Sequence, residues 1–567
     1  MLHRHHDCGE SLTIILAVLD PELQNDYQLT IGALLKQTEH RRSSGEVVYA
    51  NTRYTWSQML DRVNGLASGL EDLGVKKGSK VAVVDVDTNR YLEAYFAVPM
   101  MGAVLHTVNI RLPPEQIAYT IAHAEDDVVL IRDEFLPMAS KMTEQLKSVK
   151  AVVTMSDSGN APTSPFPNTR FYDDLVHAQS HYEFPALSED SQATLFYTSG
   201  TTGLPKGVFF THRQIVLHTL GIAVGLGDSA LRLNSADVWM PLVPFFHVHG
   251  WGLPYLAGMW GMKTVLAGRY DAKTILDLMR REGVTFSDMV PTILNMVINY
   301  PQAAEYRDAL SRWRVVVGGS ALPKGVALSA RRLGVKVMTG YGLSETAPVL
   351  TLGTPTDGLR GLDEDQLLDM VLLKTGIPIP LVEVRVVDRD MKEVPRDDRT
   401  LGEIVVRSAW TTQGYYKEPE KSAELWAGGW LHTGDLATVD ERGYLVIRDR
   451  LKDVVKSGGE WISTLLLEDL LMHHESVFEA AVIGAKDEKW GERPVAMVCL
   501  KEEKTASEDE LRAHLMKYVE EGKIAKFWVP ERIIIIGGAL PKTSTGKLDK
   551  KPLREKYSSV LAAGSAS

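Results

Sequence analysis

The chain has 567 residues, 44% of them hydrophobic and 24% charged, with a net charge of −11. This length exceeds what a single hydrophobic core serves, so at least two domains are expected. The acidic balance and the lack of a basic stripe with interleaved aromatic residues argue against nucleic-acid binding. The two cysteines fit neither a disulfide framework nor a metal site, and they suit a reducing, cytoplasmic setting.

An apolar run at residues 12–19, behind a histidine-rich tract, loosely resembles a signal peptide. However, Asp7 and Glu10 precede the run, Asp20 closes it, and no small-residue cleavage site follows. We therefore expect a short buried or docking segment. No apolar run approaches the ~20 residues that span a bilayer, so no transmembrane anchor is expected. Apolar substrates would favour peripheral membrane contact, but no basic amphipathic helix offers an anchor.

Short β-branched runs alternate with longer amphipathic stretches from about Ile31 to Arg448. Strands are predicted at residues 80–85, 150–155, 264–267, 314–317 and 336–338, and a helix at 90–101. This alternation is typical of α/β sheets with helices on both faces. Strand-rich segments at 382–387 and 402–407 indicate a smaller β-subdomain.

A turn-rich stretch at 431–447 leads to a predicted domain boundary near residues 448–453. The following ~115 residues have their own pattern, typical of a compact α+β domain. Helices are predicted at 460–472 and 508–520, and strands at 480–484, 495–500 and 533–536. The small residues 562–567 are expected to fray.

The most informative segment reads Y-T-S-G-T-T-G-L-P-K-G-V at residues 197–208. Glycines let backbone N–H groups converge on an anion, hydroxyls add hydrogen bonds, and Lys206 adds a positive charge. An ordinary P-loop requires G-K-[ST], whereas this chain has Pro205, Lys206 and Gly207. The pattern therefore predicts a phosphate loop of another kind; the alternative is a flexible surface loop.

Four further motifs follow in order: T-G-Y-G-L-S-E-T-A-P at 339–348, L-H-T-G-D-L at 431–436, R-D-R-L-K-D-V-V-K-S-G-G-E-W-I-S at 448–463 and P-K-T-S-T-G-K at 541–547. Together the five motifs resemble the adenylate-forming superfamily, which includes acyl-CoA synthetases, adenylation domains and luciferases. Within it the chain is most similar to medium- and long-chain fatty acyl-CoA synthetases, through H-V-H-G-W-G-L-P-Y at 247–255 and A-V-L-H-T-V-N-I-R-L at 103–112.

This resemblance implies an α/β fold with two domains. The large N-terminal domain, residues 1–449, would contain two layered α/β subdomains plus a β-subdomain. A hinge at 450–453 would lead to a small, mobile α+β domain at 454–567. Related fatty acyl-CoA synthetases often form homodimers through the large domain, and the sequence contains no feature that tests this.

The resemblance also implies a site for ATP and Mg²⁺. Tyr341 would offer its ring to adenine, Asp435 would accept from the ribose hydroxyls beside Arg450, and Thr346 would donate to the α-phosphate. Thr198 and Glu345 would be the metal ligands. The remaining residues of the predicted nucleotide site are Ser199, Gly200, Thr201, Thr202, Gly203, Lys206, Gly319, Ser320, Ala321, Thr339, Gly340, Gly342 and Ser344.

Lys547 is the predicted catalytic lysine, bridging the carboxylate and the α-phosphate. By the same resemblance the small domain rotates about Lys452 between two half-reactions, withdrawing Lys547 and bringing in a face that contains Lys456. The chain has Lys at the pivot where many relatives have Asp. Trp461 is predicted to cover the nucleotide.

The acid side of the site is expected around residues 244–255. His247 would lie beside the carboxylate, and Trp251 would gate an acyl tunnel that Phe246 and Gly319 also line. An apolar wall gains ~0.8 kcal/mol per buried CH₂, so such a tunnel would select chain length.

The leading hypothesis is an AMP-forming fatty acyl-CoA synthetase with ATP and coenzyme A as co-substrates. The alternatives are a ligase for a short, thioether-containing or aromatic acid, and a stand-alone adenylase that loads a carrier protein. A nucleotide-binding protein without catalysis and a luciferase are more remote. The apolar residues around 244–255 include no cluster suited to an amino acid's α-amine, which argues against a peptide synthetase.

Overall fold

The computed structural model describes residues 27–41, 43–176, 182–198, 204–458, 460–542 and 548–561. The predicted segment 12–19, the loop residues 199–203, Lys547 and the tail 562–567 lie outside these ranges. In the described residues, no helix combines the length and the apolar character needed to cross a membrane.

The first sheet is built mainly from residues 80–211. The elements up to residue 228 are α1 (Ile31–Arg41), β1 (Glu46–Tyr49), β2 (Thr52–Thr55), α2 (Trp56–Asp72), β3 (Lys80–Val84), α3 (Asn89–Met100), β4 (Val104–Thr107), α4 (Pro114–Ala124), β5 (Val128–Arg132), α5 (Leu136–Ala139), β6 (Ala151–Met155), β7 (Thr169–Phe171), α6 (Tyr172–Val176), β8 (Gln192–Thr198), β9 (Lys206–Thr211) and α7 (His212–Asp228). Its strand order is β7-β6-β5-β3-β4-β8-β9. All neighbours are parallel except β8 and β9, which form an antiparallel hairpin.

The second sheet has the order β16-β15-β14-β13-β12-β10-β11-β1-β2, and β17 to β20 form a separate antiparallel sheet. The elements of this part are β10 (Val238–Trp239), α8 (Leu253–Trp260), β11 (Lys263–Leu266), α9 (Ala272–Glu282), β12 (Phe286–Met289), α10 (Pro291–Ile298), α11 (Arg307–Leu310), β13 (Arg314–Val317), α12 (Lys324–Arg332), β14 (Lys336–Gly342), β15 (Val349–Leu352), α13 (Glu364–Leu367), β16 (Ile377–Pro378), β17 (Val382–Val387), β18 (Gly402–Ser408), α14 (Pro419–Leu425), β19 (Leu431–Val439) and β20 (Leu445–Arg450).

Helix α3 lies between the two large sheets. It contacts β1 of the second sheet and β3 and β4 of the first, and every one of its residues is buried. Thr88 caps its N-terminus by accepting a hydrogen bond from the Tyr91 N–H at 3.3 Å. A helix that is buried all round is a core helix, and this one joins the two sheets through a single hydrophobic cluster.

The C-terminal strands pair among themselves. The elements are β21 (Val455–Ser457), β22 (Glu460–Ile462), α15 (Thr464–Met472), β23 (Val477–Asp487), β24 (Gly491–Leu500), α16 (Glu508–Glu520), β25 (Arg532–Ile535) and α17 (Lys551–Tyr557). The sheet order is β22-β21-β24-β23, with β25 beside β24, and two hydrophobic clusters lie on its two sides.

The predicted α/β fold is confirmed, and the strands 314–317 and 382–387 and the helix 508–520 have the predicted bounds. The helix predicted at 460–472 is wrong in its first turn. Residues Glu460–Ile462 form β22 instead, and Ser463 caps the helix by accepting from the Leu466 N–H at 3.1 Å. The stretch 431–447, predicted as turn-rich, is mostly β19 and β20, which flank a tight turn.

Candidate active site

The predicted phosphate loop connects the two strands of the β8–β9 hairpin. Thr198 at the end of β8 is the register partner of Lys206 at the start of β9, so the two residues mark the mouth of the loop. Tyr197 anchors the preceding strand, because its hydroxyl lies 2.8 Å from His123 Nδ1 and its ring packs against His106. The predicted contacts of Ser199, Gly200, Thr201, Thr202 and Gly203 lie outside the described residues and stay predictions.

Tyr341, Asp435 and Arg450 come together as expected for a nucleoside site. Strand β14 carries Tyr341, whose hydroxyl donates to Asp435 Oδ2 at 2.9 Å. Asp435 on β19 is the register partner of Arg450 on β20, and Arg450 Nε lies 3.2 Å from Asp435 Oδ1. Burial, and then the Asp435 charge, hold the pKa of Tyr341 well above its usual range. The phenol therefore remains a donor that orients the carboxylate.

The turn after β14 is tightly packed. A Cβ on Gly342 would lie 1.7 Å from the Pro348 carbonyl oxygen, so only glycine fits there. Thr346 is fully buried, and its hydroxyl lies within hydrogen-bond distance of two carbonyl acceptors, those of Leu343 at 3.1 Å and of Pro348. The predicted donation from Thr346 to an α-phosphate would therefore require the hydroxyl to change partners.

Two other predicted groups near this turn differ in exposure. Thr339 is buried and donates to the Leu372 carbonyl at 3.0 Å, which is a structural role within the protein. Gly319, Ser320 and Ala321 are exposed after β13, and Gly319 has φ 79°. Their predicted contact with the nucleotide stays a prediction.

Trp251 packs directly onto the backbone at the end of β13. A Cβ on Gly318 would lie 2.9 Å from Trp251 Cη2, so glycine permits this contact. The preceding residues Val248, His249 and Gly250 and Trp251 itself all have φ between 48° and 56°. Left-handed backbone costs roughly 1–2 kcal/mol per non-glycine residue, and such strain is concentrated at functional sites.

The acid-side residues around this left-handed turn differ in how far they are exposed. Phe246 and Trp251 are buried, whereas His247 is partly exposed. His249 is fully buried between Phe196 and Phe210, and burial lowers its pKa to about 3. Neither ring nitrogen of His249 has a hydrogen-bond partner among the residues that the structure describes.

Glu345 accepts a hydrogen bond from a residue that the sequence motifs did not identify. The Tyr415 hydroxyl donates to Glu345 Oε1 at 2.7 Å, and Lys206 Nζ lies 4.5 Å from the centroid of the Tyr415 ring. Burial, and then the Glu345 charge, raise the pKa of Tyr415 well above its usual value. No spacing or motif pointed to Tyr415, because both contacts join distant parts of the chain.

Glu345 and Thr198 offer oxygen donors of the kind that Mg²⁺ prefers. The second carboxylate oxygen of Glu345 has no partner within the described ranges, which fits a role as a ligand. Those ranges contain no cluster of three or more His, Cys, Asp or Glu residues suited to a metal. A site with few protein ligands is consistent with Mg²⁺, which usually keeps waters and phosphate oxygens.

The start of the C-terminal region is tied to β19 and β20. The Leu451 N–H donates to the Gly434 carbonyl at 2.8 Å, and the Ser463 hydroxyl donates to the Arg448 carbonyl. Lys452 and Lys456 are exposed and lie in the chain between the two tethered residues, Leu451 and Ser463. Their roles as pivot and as part of the second catalytic face stay predictions.

Trp461 on β22 contacts Arg389, whose guanidinium lies 5.2 Å from the ring. The indole N–H of Trp461 is buried without a hydrogen-bond partner in the described part of the chain. Its predicted position over the nucleotide stays a prediction.

Two lysines near Lys547 have structural partners. Lys550 is buried and lies 2.6 Å from Glu468 Oε1 and 2.7 Å from the Thr464 hydroxyl, while Lys542 pairs with Glu479. Lys547 itself lies outside the described residues. The prediction that Lys547 is the catalytic lysine therefore continues to rest on the sequence motif.

Comparisons with known proteins identify the family of the chain. The family profile described as AMP-binding enzyme matches residues 35–416, and that of the AMP-binding enzyme C-terminal domain matches 466–547. The chain is 41% identical to the long-chain-fatty-acid–CoA ligase of Thermus thermophilus, covering 92% of this chain and 93% of the relative. It is 36% identical to the medium-chain-fatty-acid–CoA ligase of Ectopseudomonas oleovorans, over 95% and 98% of the two chains. The solved structure of an anthranilate CoA ligase with anthranoyl-AMP superposes with a TM-score of 0.80 at 25% identity, covering 96% of this chain and 100% of the other.

Proposed function

The chain belongs to the AMP-binding enzyme family, and from that premise we propose that it is an AMP-forming acyl-CoA ligase acting on a medium- to long-chain fatty acid. ATP and coenzyme A are the co-substrates of this acid–thiol ligase chemistry. The observation that carries the proposal is the extent of its likeness to fatty-acid–CoA ligases, 41% identity over 524 residues. ATP and coenzyme A are available in the cytoplasm, which is the proposed compartment.

In the first half-reaction a carboxylate oxygen of the acid attacks the α-phosphorus of ATP. The bond between the α-phosphorus and the bridging oxygen breaks, and pyrophosphate leaves with that oxygen and its electron pair. Both reactants are anions, so the site must supply positive charge and aligned donors. Lys206 at the phosphate loop and Lys547 are the proposed cationic groups. Bound Mg²⁺, held by Glu345 and Thr198, would supply further charge neutralisation.

The nucleoside is held by Tyr341 near the end of β14, Asp435 in β19 and Arg450 at the end of β20. Asp435 can accept hydrogen bonds from both ribose hydroxyls, and Tyr341 presents its ring to the adenine. Asp435 is only 4% exposed and is oriented by Tyr341 and Arg450, which supports a preorganised acceptor.

In the second half-reaction the thiolate sulfur of coenzyme A attacks the acyl carbonyl carbon of acyl-AMP. The bond between this carbon and the phosphate oxygen breaks, and AMP leaves. One site must serve two bulky reactants, so we assign a rotation of the C-terminal domain about Lys452 between the steps. The rotation would exchange Lys547 for the face that carries Lys456.

The acid is assigned to the side of Phe246, His247 and Trp251. The two aromatic side chains are buried and apolar, which favours an alkyl chain over a charged one. Each methylene that enters such a wall contributes ~0.8 kcal/mol, about fourfold in affinity.

The first experiment is pyrophosphate release with Mg-ATP and coenzyme A across acids from acetate to palmitate, with benzoate and a methylthio acid included. A maximum at medium or long chains is the expected result. Activity confined to short, thioether or aromatic acids would keep the reaction and overturn the substrate class. Pyrophosphate release that does not depend on coenzyme A would instead indicate a carrier-loading adenylase.

A further inference from the structure

The bridging segment, residues 411–416, connects the phosphate strand β9 to the turn that carries Glu345. It follows β18 and crosses between these two parts of the predicted nucleotide site. Its hydrogen bonds to these two parts run from Thr412 Oγ1 to the Phe209 carbonyl at 2.9 Å, from Thr412 N to the Glu345 carbonyl at 2.8 Å and from Tyr416 N to the Gly207 carbonyl at 2.8 Å. The segment therefore fixes the distance between β9 and the Glu345 turn.

Tyr415 extends this connection from the backbone to the functional groups. Its hydroxyl donates to Glu345 Oε1 at 2.7 Å, while its ring faces the ammonium of Lys206 at 4.5 Å. One side chain therefore contacts both the proposed metal carboxylate and the proposed phosphate lysine. Its neighbour Gly414 allows a close approach of Ser422, whose hydroxyl accepts from the Tyr415 N–H at 2.8 Å.

We propose that Tyr415 is a positioning residue that sets the binding of the metal–nucleotide complex by orienting Glu345 and Lys206 together. The proposal rests on the proposed function only in that the site binds ATP with a divalent cation. Tyr415 acts through Glu345 and Lys206 and does not contact the reacting atoms.

The two contacts have chemistry suited to this task. The hydrogen bond occupies Oε1 of Glu345 and restricts rotation of the carboxylate, so that Oε2 is left to face a cation. The ring attracts the Lys206 charge without consuming any of its three N–H donors, which remain for phosphate oxygens. An acidic partner would have neutralised the lysine, whereas an aromatic ring holds it and preserves its charge.

The test separates these two contacts. Tyr415→Phe keeps the ring and removes the hydroxyl, and Tyr415→Leu removes both. Binding of α,β-methylene ATP, which cannot be cleaved at the reacting bond, is measured by calorimetry with EDTA and then with increasing Mg²⁺. We expect Tyr415→Phe to leave the metal-free dissociation constant within about twofold and to raise the half-saturating Mg²⁺ concentration about tenfold, the loss typical of a hydrogen bond to a charged group. We expect Tyr415→Leu to weaken binding under both conditions.

Tyr306→Phe is the matched control. The Tyr306 hydroxyl also contacts a carboxylate, Asp277 at 2.5 Å, and its ring also lies beneath a cation, Arg280 at 4.2 Å. The change removes the same atoms from a similar environment on the α9 side of the second sheet. It should alter neither the metal-free affinity nor the Mg²⁺ requirement.

An unchanged Mg²⁺ requirement in Tyr415→Phe would overturn the proposal. So would an equal loss of affinity with and without Mg²⁺, accompanied by a lower melting temperature, because that pattern indicates a purely structural residue. The binding assay contains no acid and no coenzyme A. A wrong fatty-acid assignment would therefore leave its result unaffected, while appearing as absent pyrophosphate release in the acid panel.

Discussion

Asp435 has both of its carboxylate oxygens held by protein groups. Tyr341 donates to Oδ2 from β14, and Arg450 approaches Oδ1 from the neighbouring strand β20. Its low exposure, 4%, means that the charge is stabilised by these partners more than by water. Such an acceptor is preorganised, since little reorientation remains when a diol binds.

Replacing Asp435 with Asn should raise the KM for ATP about tenfold or more, because one charged acceptor becomes an N–H donor that faces the ribose. Tyr341→Phe should raise it less, by about threefold, since the ring remains and only the orienting hydrogen bond is lost. Steady-state pyrophosphate release at varied ATP measures both effects. Asp228→Asn, which breaks a surface pair with Arg360, is the control. An unchanged KM in Asp435→Asn would remove this residue from the nucleotide site.

At the scale of elements, α7 depends on glycines for its packing. A Cβ on Gly221 would lie 2.6 Å from Trp410 Cη2, and one on Gly225 would lie 2.8 Å from Ile379 Cγ2. Trp410 is fully buried and contributes to the main core. The helix therefore presents a flat face on which the residues after β18 and β16 pack.

Gly221→Ala should lower the melting temperature, because overpacking of a tight core costs typically ~1–3 kcal/mol. Gly227→Ala on the same helix meets only the Leu233 carbonyl oxygen at 3.7 Å. It should be neutral or stabilising, since Ala favours a helix by up to ~1 kcal/mol over Gly. Thermal unfolding of the two variants tests the contrast; equal effects would contradict the packing account.

Three buried histidines near α7 should make the fold sensitive to acid. Burial lowers the pKa of His212 to about 4 and those of His218 and His249 to about 3. His212 Nδ1 and His218 Nε2 each accept a backbone N–H, from Ile31 and Val349 at 3.2 Å, which requires an unprotonated nitrogen. The unfolded chain binds these protons below about pH 6.5 while the folded chain does not, so stability falls as the pH falls below that value.

We expect the melting temperature to decrease between pH 6.5 and pH 5, because each such histidine lowers the free energy of unfolding by up to about 1.4 kcal/mol per pH unit in that range. His249→Phe should reduce the slope of this dependence, whereas His40→Gln at the exposed end of α1 should not. Melting curves at half-unit pH intervals provide the measurement. A slope identical in His249→Phe and the parent protein would show that His249 does not titrate on unfolding.

At the scale of the whole molecule, the residues proposed to carry the reaction are distributed between the N-terminal and the C-terminal regions. By the predicted domain bounds, Tyr341, Asp435 and Glu345 belong to the N-terminal region, Arg450 to the hinge, and Lys456 and Lys547 to the C-terminal region. Lys547→Ala should therefore reduce acyl-AMP formation by on the order of 10²-fold or more while sparing thioester formation from supplied acyl-AMP. Separate assays of the two half-reactions measure this, with Lys551→Ala as the control. Equal loss of both half-reactions would contradict the assignment.

Much of this organisation could be predicted from the sequence. The motif at 339–348 and the one at 431–436 identified Tyr341 and Asp435, which the structure brings within a hydrogen bond of each other. The alternation of β-branched runs predicted most strands, because buried parallel strands read as continuous apolar runs.

What could not be predicted depends on contacts between distant residues. Residues 460–462 look helical locally, but pairing with β21 makes them a strand. Tyr415 contacts Glu345 and Lys206, which lie 70 and more than 200 positions away, and no local pattern encodes such a meeting.

The pairing of Asp435 with Arg450 on neighbouring strands has a consequence for how the binding of one ligand changes the affinity for another. Arg450 is the final residue of β20, and the Leu451 N–H after it is fastened to Gly434, beside Asp435. A pivot at Lys452 would thus act two residues beyond Arg450, the last of the proposed ribose contacts. Any ligand that favours one orientation of the C-terminal domain should change the affinity for AMP, and thermodynamic reciprocity requires AMP to change that ligand's affinity by the same factor.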